Sequence, residues 1–90
     1  MSGAPYRVDL APAAARELRR LPPGDAARLR GPILSLALES RPPGVTRLVG
    51  SDQWRMRIGD LRVIFTVDDP TRVVIVLRVA RRNESTYRTR

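Results

Sequence analysis

The chain has 90 residues, with 17 arginines and no lysine against nine carboxylates for a formal net charge of +8; domains run from about 50 to 250 residues, so this is one small basic domain. A chain of this size buries only roughly 60 to 65% of the surface it exposes when unfolded, so one layer of helix on one sheet is what it can support. The absence of cysteine and histidine excludes disulfides, thiolate nucleophiles, the Ser-His-Asp triad and the usual zinc sites.

Tyr6, Val8 and Leu10 alternate with Arg7 and Asp9, which predicts a first strand. Pro12 suits a first helical turn, and Ala14, Leu18 and Leu21 recur at helical spacing while Arg16, Glu17, Arg19 and Arg20 face elsewhere. Pro22-Pro23-Gly24 stops that helix. Asp25 is placed to cap a second one with the apolar row Leu29, Ile33 and Leu36 or Ala37, which Pro32 is expected to kink or restart. Arg41-Pro42-Pro43-Gly44 reads as a loop, and from there the pattern changes to strand period. A short piece near Arg47 to Val49 is followed by strands over Trp54 to Ile58, Leu61 to Val67 and Val73 to Val79. Gly59 can supply the positive φ of a tight Ile58-Gly59-Asp60-Leu61 hairpin, and Asp68-Asp69-Pro70-Thr71 makes the next turn. The run from Val73 to Leu77 is apolar on both faces, as suits a central strand. No apolar run approaches the ~20 residues of a membrane span. The N-terminus MSGAPYRVDL lacks the basic start and apolar stretch of a signal peptide, so a cytoplasmic location is expected.

Strand alternation puts Trp54, Met56 and Ile58 on one face and Arg55 and Arg57 on the other. In the next strand Leu61, Val63, Phe65 and Val67 are the apolar set, and Arg62 points away with Ile64 and Thr66. If the helices cover the apolar face, Arg55, Arg57 and Arg62 converge on the open one, where the sequence offers few carboxylates. Charge pattern alone leaves two readings, a solvated basic face and an anion or phosphate site. The tail Arg81-Arg82-Asn83-Glu84-Ser85-Thr86-Tyr87-Arg88 adds arginines, a single carboxylate and a phenol.

These residues carry a resemblance. The block Trp54-Arg55-Met56-Arg57-Ile58-Gly59-Asp60-Leu61-Arg62-Val63-Ile64-Phe65, preceded by Leu48-Val49-Gly50 and followed by Val76-Leu77-Arg78-Val79-Ala80-Arg81-Arg82 and Tyr87-Arg88, resembles the RelE/ParE superfamily of bacterial toxins, on the RelE side. Tyr6-Arg7-Val8, Leu18-Arg19-Arg20-Leu21 and Arg41-Pro42-Pro43-Gly44 also have counterparts there, so the likeness spans almost the whole chain. It implies a single α+β domain in which two N-terminal helices pack on one face of a small, curved, mainly antiparallel sheet.

The resemblance also implies a function. RelE-type toxins enter the ribosomal A site and cut mRNA by attack of a ribose 2′-hydroxyl on the adjacent phosphate, leaving a cyclic phosphate, with no cofactor or metal. Matched position by position, Arg62 falls on the phosphate-binding arginine, Arg82 on the arginine near the leaving group and Tyr87 on the C-terminal tyrosine. Arg55 and Arg57 fall on the basic residues of the substrate strand. Spacing in the tail varies, so Arg81 competes with Arg82 and otherwise counts as an RNA contact. Arginine, with a pKa above ~12, is a poor base, which leaves Tyr87 as general base and Glu84 as the alternative. The implied partners are an acidic RelB-like antitoxin, the ribosome with its mRNA, and operator DNA for the toxin-antitoxin complex. Two rival functions share the fold: a ParE-like inhibitor of DNA gyrase, and an inactive homologue that acts as co-repressor with its antitoxin.

Overall fold

A computed structural model describes residues 5–81. The order along the chain is β1 (Arg7–Leu10), α1 (Pro12–Arg20), α2 (Pro23–Ser35), β2 (Thr46–Arg47), β3 (Gln53–Ile58), β4 (Leu61–Asp68) and β5 (Val73–Arg81). The five strands form one sheet in the order β1-β5-β4-β3-β2. Strands β2 to β5 run as an antiparallel meander, and β1 pairs with β5 in parallel. This is the α+β architecture that the resemblance implies.

The first helix opens with Pro12 in its first turn, and three alanines with high helix propensity follow. It closes with Arg19 and Arg20 in its last turn, where cations favour the helix dipole. Pro22 holds Leu21 in the extended region, with ψ at 149°, as the residue before a proline requires. The second helix begins earlier than the sequence suggests. Pro23 takes its first turn, so Asp25 lies inside that turn and does not cap it. Proline at a first helical position costs no hydrogen bond, because that N–H would be unpaired in any case. Pro32 leaves the helix unbroken through Ser35, since only the Arg28 carbonyl loses its partner.

The core is one cluster. Ala14 from α1, Leu29 and Ile33 from α2 and Leu36 just beyond it meet Met56, Leu61, Val63, Phe65, Val74, Val76 and Val79 of the sheet. Leu36, and not the half-buried Ala37, completes the helical row. The inward residues of β5 are Val74, Val76 and then Val79. That break in alternation coincides with a register shift in which Phe65 faces Val76 and Ile64 faces Arg78. One extra residue in β5 makes a bulge, which sharpens the local twist. The run Val73 to Leu77 is interior, flanked by β1 and β4.

Two further details depart from the sequence reading. The short strand is Thr46–Arg47, while Leu48 and Val49 enter a turn in which Val49 is fully exposed. Trp54 is half-buried against the core and not inside it. The hairpin at Gly59, by contrast, is as expected. Gly59 has φ +60°, and a Cβ there would collide with the Arg28 guanidinium.

Candidate nucleic-acid interface

Both helices contribute to the core on the inner face, so among the described residues no helix covers the outer face of the sheet. Strand pairing arranges that face in rows. Nearest the β3–β4 turn, Arg57 lies opposite Arg62, which lies opposite Ala80. In the next row Arg55 lies opposite Ile64 and Ile64 opposite Arg78. The third row is Gln53, Thr66, Ile75 and Asp9, and Asp68 with Val73 and Arg7 make the fourth.

Like charges directly opposite on a sheet are destabilising, so the Arg57–Arg62 pair costs stability unless an anion lies between or above it. Arg57 is exposed, and Arg55 and Arg62 are half-exposed. Among the described residues no ion pair involves Arg55 or Arg57. The described carboxylates of this face, Asp9 and Asp68, stand in the far rows. Asp9 is paired with Arg7 at 3.1 Å, and Asp68 accepts the Thr71 hydroxyl at 2.7 Å.

Arg81 has a different environment. Its guanidinium is held by Asp25 of α2 and by Asp60 of the β3–β4 turn. Arg28 completes the cluster, 3.2 Å from Asp25 and 3.8 Å from Asp60. The hydrogen bond to Asp60, backed by the charges of both carboxylates, raises the Arg81 pKa. Burial alone would raise the Asp60 carboxyl, but hydrogen bonds from Arg81 and the backbone, with the charges of Arg81 and Arg28, hold it below the usual carboxylate range. Strand β5 therefore ends in a clamp built from three elements.

Two further clusters engage arginines at the edges of the fold. Glu17 on α1 accepts the Val79 backbone N–H at 2.7 Å and pairs with Arg78 at 2.6 Å. It thus satisfies an amide of β5 beyond the last residue that β1 covers, next to the bulge. Arg41 pairs with Asp69 through both guanidinium nitrogens, at 2.9 and 3.3 Å, and lies 5.4 Å from the centre of the Trp54 ring. Asp69 also accepts the Tyr6 hydroxyl at 2.6 Å. Hydrogen bonds from Arg41 and Tyr6 lower its pKa, and the same contact raises that of Tyr6.

Of the residues the sequence singles out, Arg55, Arg57 and Arg62 meet on one face and Arg81 is held by carboxylates. Arg82, Glu84 and Tyr87 lie outside the described residues. Sequence reasoning missed Glu17, Asp25, Asp60 and Asp69 as arginine partners. Asp60 had a signal in its hairpin turn; the others reach their partners only through the tertiary fold. Among the described residues no group of three or more carboxylates can hold a metal ion, and no helix is long and apolar enough to cross a membrane.

A small α+β domain with a cationic sheet face is the class that the fold and the site define. Residues 8–86 match the family described as the ParE toxin of type II toxin-antitoxin system, parDE, and the chain belongs to that family, within the RelE/ParE superfamily. Solved structures agree. The RelBE2 toxin-antitoxin complex of Mycobacterium tuberculosis is 28% identical with a TM-score of 0.79, over 87% of this chain and 99% of that one. The archaeal RelE-RelB complex of Pyrococcus horikoshii is 29% identical with a TM-score of 0.78, over 89% and 98%. The isolated RelE toxin of E. coli, at 23% identity, shares the fold, with a TM-score of 0.78 over 89% of this chain and 87% of that one. Comparison with curated protein sequences gives no match.

Proposed function

We propose that this toxin is a ribosome-dependent endoribonuclease that cuts mRNA and so stops translation in the cytoplasm. The observation that carries the reading is the convergence of Arg55, Arg57 and Arg62 in two adjoining rows of one sheet face, with the described carboxylates of that face, Asp9 and Asp68, in the far rows. A polyanion laid over this face would neutralise Arg55 and Arg57, which meet no carboxylate among the described residues.

In the reaction the ribose 2′-hydroxyl loses its proton and attacks the adjacent phosphorus. The P–O5′ bond breaks and the leaving O5′ takes up a proton in place of the one lost by the 2′-hydroxyl, leaving a 2′,3′-cyclic phosphate and a 5′-hydroxyl. Negative charge grows on the phosphorane oxygens, where preorganised cations are worth several kcal/mol. Arg62 and Arg82 take that task, and Arg55 and Arg57 hold flanking phosphates. The guanidinium of Arg81 is already committed to Asp25 and Asp60, which favours Arg82 as the phosphate ligand and Arg81 as the anchor of the chain that leads to it. Tyr87 is proposed as general base, since arginine stays protonated and is a poor base for the task, and Glu84 is the alternative. The ribosome supplies the substrate geometry, so free RNA is cut slowly.

An acidic RelB-like antitoxin neutralises the toxin. With a net charge of +8, the encounter should slow as salt rises. The solved relatives from Mycobacterium tuberculosis and Pyrococcus horikoshii are a RelBE2 toxin-antitoxin complex and a RelE-RelB complex, which supports an antitoxin partner. The complex is proposed to bind its own operator DNA.

Primer extension on mRNA from cells expressing the chain without antitoxin tests the reading. Growth arrest with cuts inside translated codons is expected. Tyr87→Phe and Glu84→Gln then locate the base, because removing it costs about 100-fold or more in single-turnover cleavage. The family description favours a second reading, a gyrase-directed inhibitor. Intact mRNA together with a supercoiling defect would establish that one instead.

A further inference from the structure

We propose that the row Gln53, Thr66 and Ile75 reads a nucleobase of the RNA and sets where the toxin cuts. The proposal rests on the ribonuclease reading above. The cationic rows account for phosphates and carry no sequence information. The row beside them differs in chemistry. Its side chains are an amide, a hydroxyl and a branched hydrocarbon, aligned across β3, β4 and β5.

Three observations point to a base as its ligand. First, the Gln53 amide and the Thr66 hydroxyl are half-exposed, and neither side chain hydrogen-bonds within the described residues. Together they offer donors and acceptors to an edge that presents both. Second, Ile75 is 37% exposed and lies opposite Thr66, while Ile64 in the adjoining row is half-exposed. These form an apolar floor under those polar groups, as an unstacked base requires. Third, alternate residues on a strand are about 6.8 Å apart, so this row is one step from Arg55 and two from the Arg57–Arg62 pair. A nucleotide whose phosphate sits on Arg55 can extend its base toward two opposed cations or toward this floor. Only the second direction offers edge hydrogen bonds and an apolar surface, the means by which single-stranded RNA is read.

The test is single-turnover cleavage by the full chain on ribosomes programmed with mRNAs that carry each of the four bases at each A-site codon position. The wild type is expected to prefer one base at one position by about 10-fold, the scale of one good edge contact. Gln53→Leu and Thr66→Val remove hydrogen bonding while keeping volume. Each should reduce that preference to within about 3-fold, chiefly by lowering the rate on the preferred codon. Thermal melting checks the fold, and Gln53→Met replaces any leucine variant that melts early. A wild type that cuts every codon alike, or variants that slow all codons equally or none, would overturn the proposal and leave the ribonuclease reading standing. A wild type that cuts no programmed ribosome would overturn both.

Discussion

The arginines of this chain fall into two populations that composition cannot separate. Arg28, Arg41, Arg78 and Arg81 each meet a carboxylate from another part of the fold, whereas Arg55 and Arg57 meet none among the described residues. The first population lies at the junctions of helix, turn and sheet, where Glu17, Asp25, Asp60 and Asp69 hold the elements together. By engaging acidic residues there, the fold leaves Arg55 and Arg57 on the sheet face without a described carboxylate. The field that an RNA backbone would meet thus depends on where the acids are placed as much as on the number of arginines.

The largest expected effect separates the two populations by activity. Arg62→Ala should lower single-turnover cleavage on the ribosome on the order of 100 to 1,000-fold, the cost of a lost oxyanion donor. Arg81→Ala should do the reverse in kind. It removes ion pairs whose arginine is 38% exposed, so it should lower the thermal midpoint slightly after solvent screening, and Arg81→Lys should recover part of that. An Arg81→Ala loss of cleavage as large as that of Arg62→Ala, with unchanged stability, would return Arg81 to the RNA-contacting set.

Trp54→Ala tests the paired region from the packing side. A fully buried tryptophan would cost about 3 to 5 kcal/mol on truncation. Trp54 is half-buried, so the expected loss is smaller, about 2 to 3 kcal/mol, including a cation–π contribution from Arg41. Urea unfolding measures it. A loss under about 1 kcal/mol would mean that the Arg41–Asp69 pair holds the loop without the ring. On the open face, Arg55→Ala and Arg57→Ala should each lower the slope of log affinity for single-stranded RNA against log salt by roughly 0.7, while Arg28→Ala should leave it unchanged.

The sheet face was legible in the sequence because alternation is a local rule. Once Trp54, Met56 and Ile58 are read as one set, Arg55 and Arg57 have only the other face. The hairpin at Gly59 was legible for a similar reason, since a two-residue turn needs a positive φ that glycine supplies. Pairings across long separations were not. Glu17 and Val79 stand 62 residues apart, and no period in the chain connects them. The bulge that offsets Val76 from Val79 was hidden because a run of valines and isoleucines reads alike in either register. The start of α2 was misread because Asp25 fits a cap by type, whereas Pro23 fits the first turn by geometry.

The smallest expected effect is in acid, and it probes the same contrast through titration. For Glu17, burial alone would raise the carboxyl, but hydrogen bonds from Arg78 and the Val79 N–H outweigh it and hold the pKa below the ordinary glutamate value. A carboxyl with a folded pKa below its unfolded one contributes stability that is complete above the unfolded value of ~4.3 and is lost as pH falls through the folded one. Asp60 and Asp69 shift in the same direction. Stability should therefore be flat from neutral pH down to about 5 and fall below it. Glu17→Gln keeps an oxygen for the Val79 N–H but removes the charge facing Arg78, so it should cost about 1 kcal/mol at pH 7. That gap should close as the pH falls, because the wild-type carboxyl then becomes neutral as well. Urea midpoints of both proteins at pH 7 and pH 3 measure it. A gap that persists undiminished in acid would show that shape, and not charge, makes Glu17 useful. Arg55 and Arg57, which face no described carboxylate, should keep binding RNA through the same acid range until the domain itself unfolds.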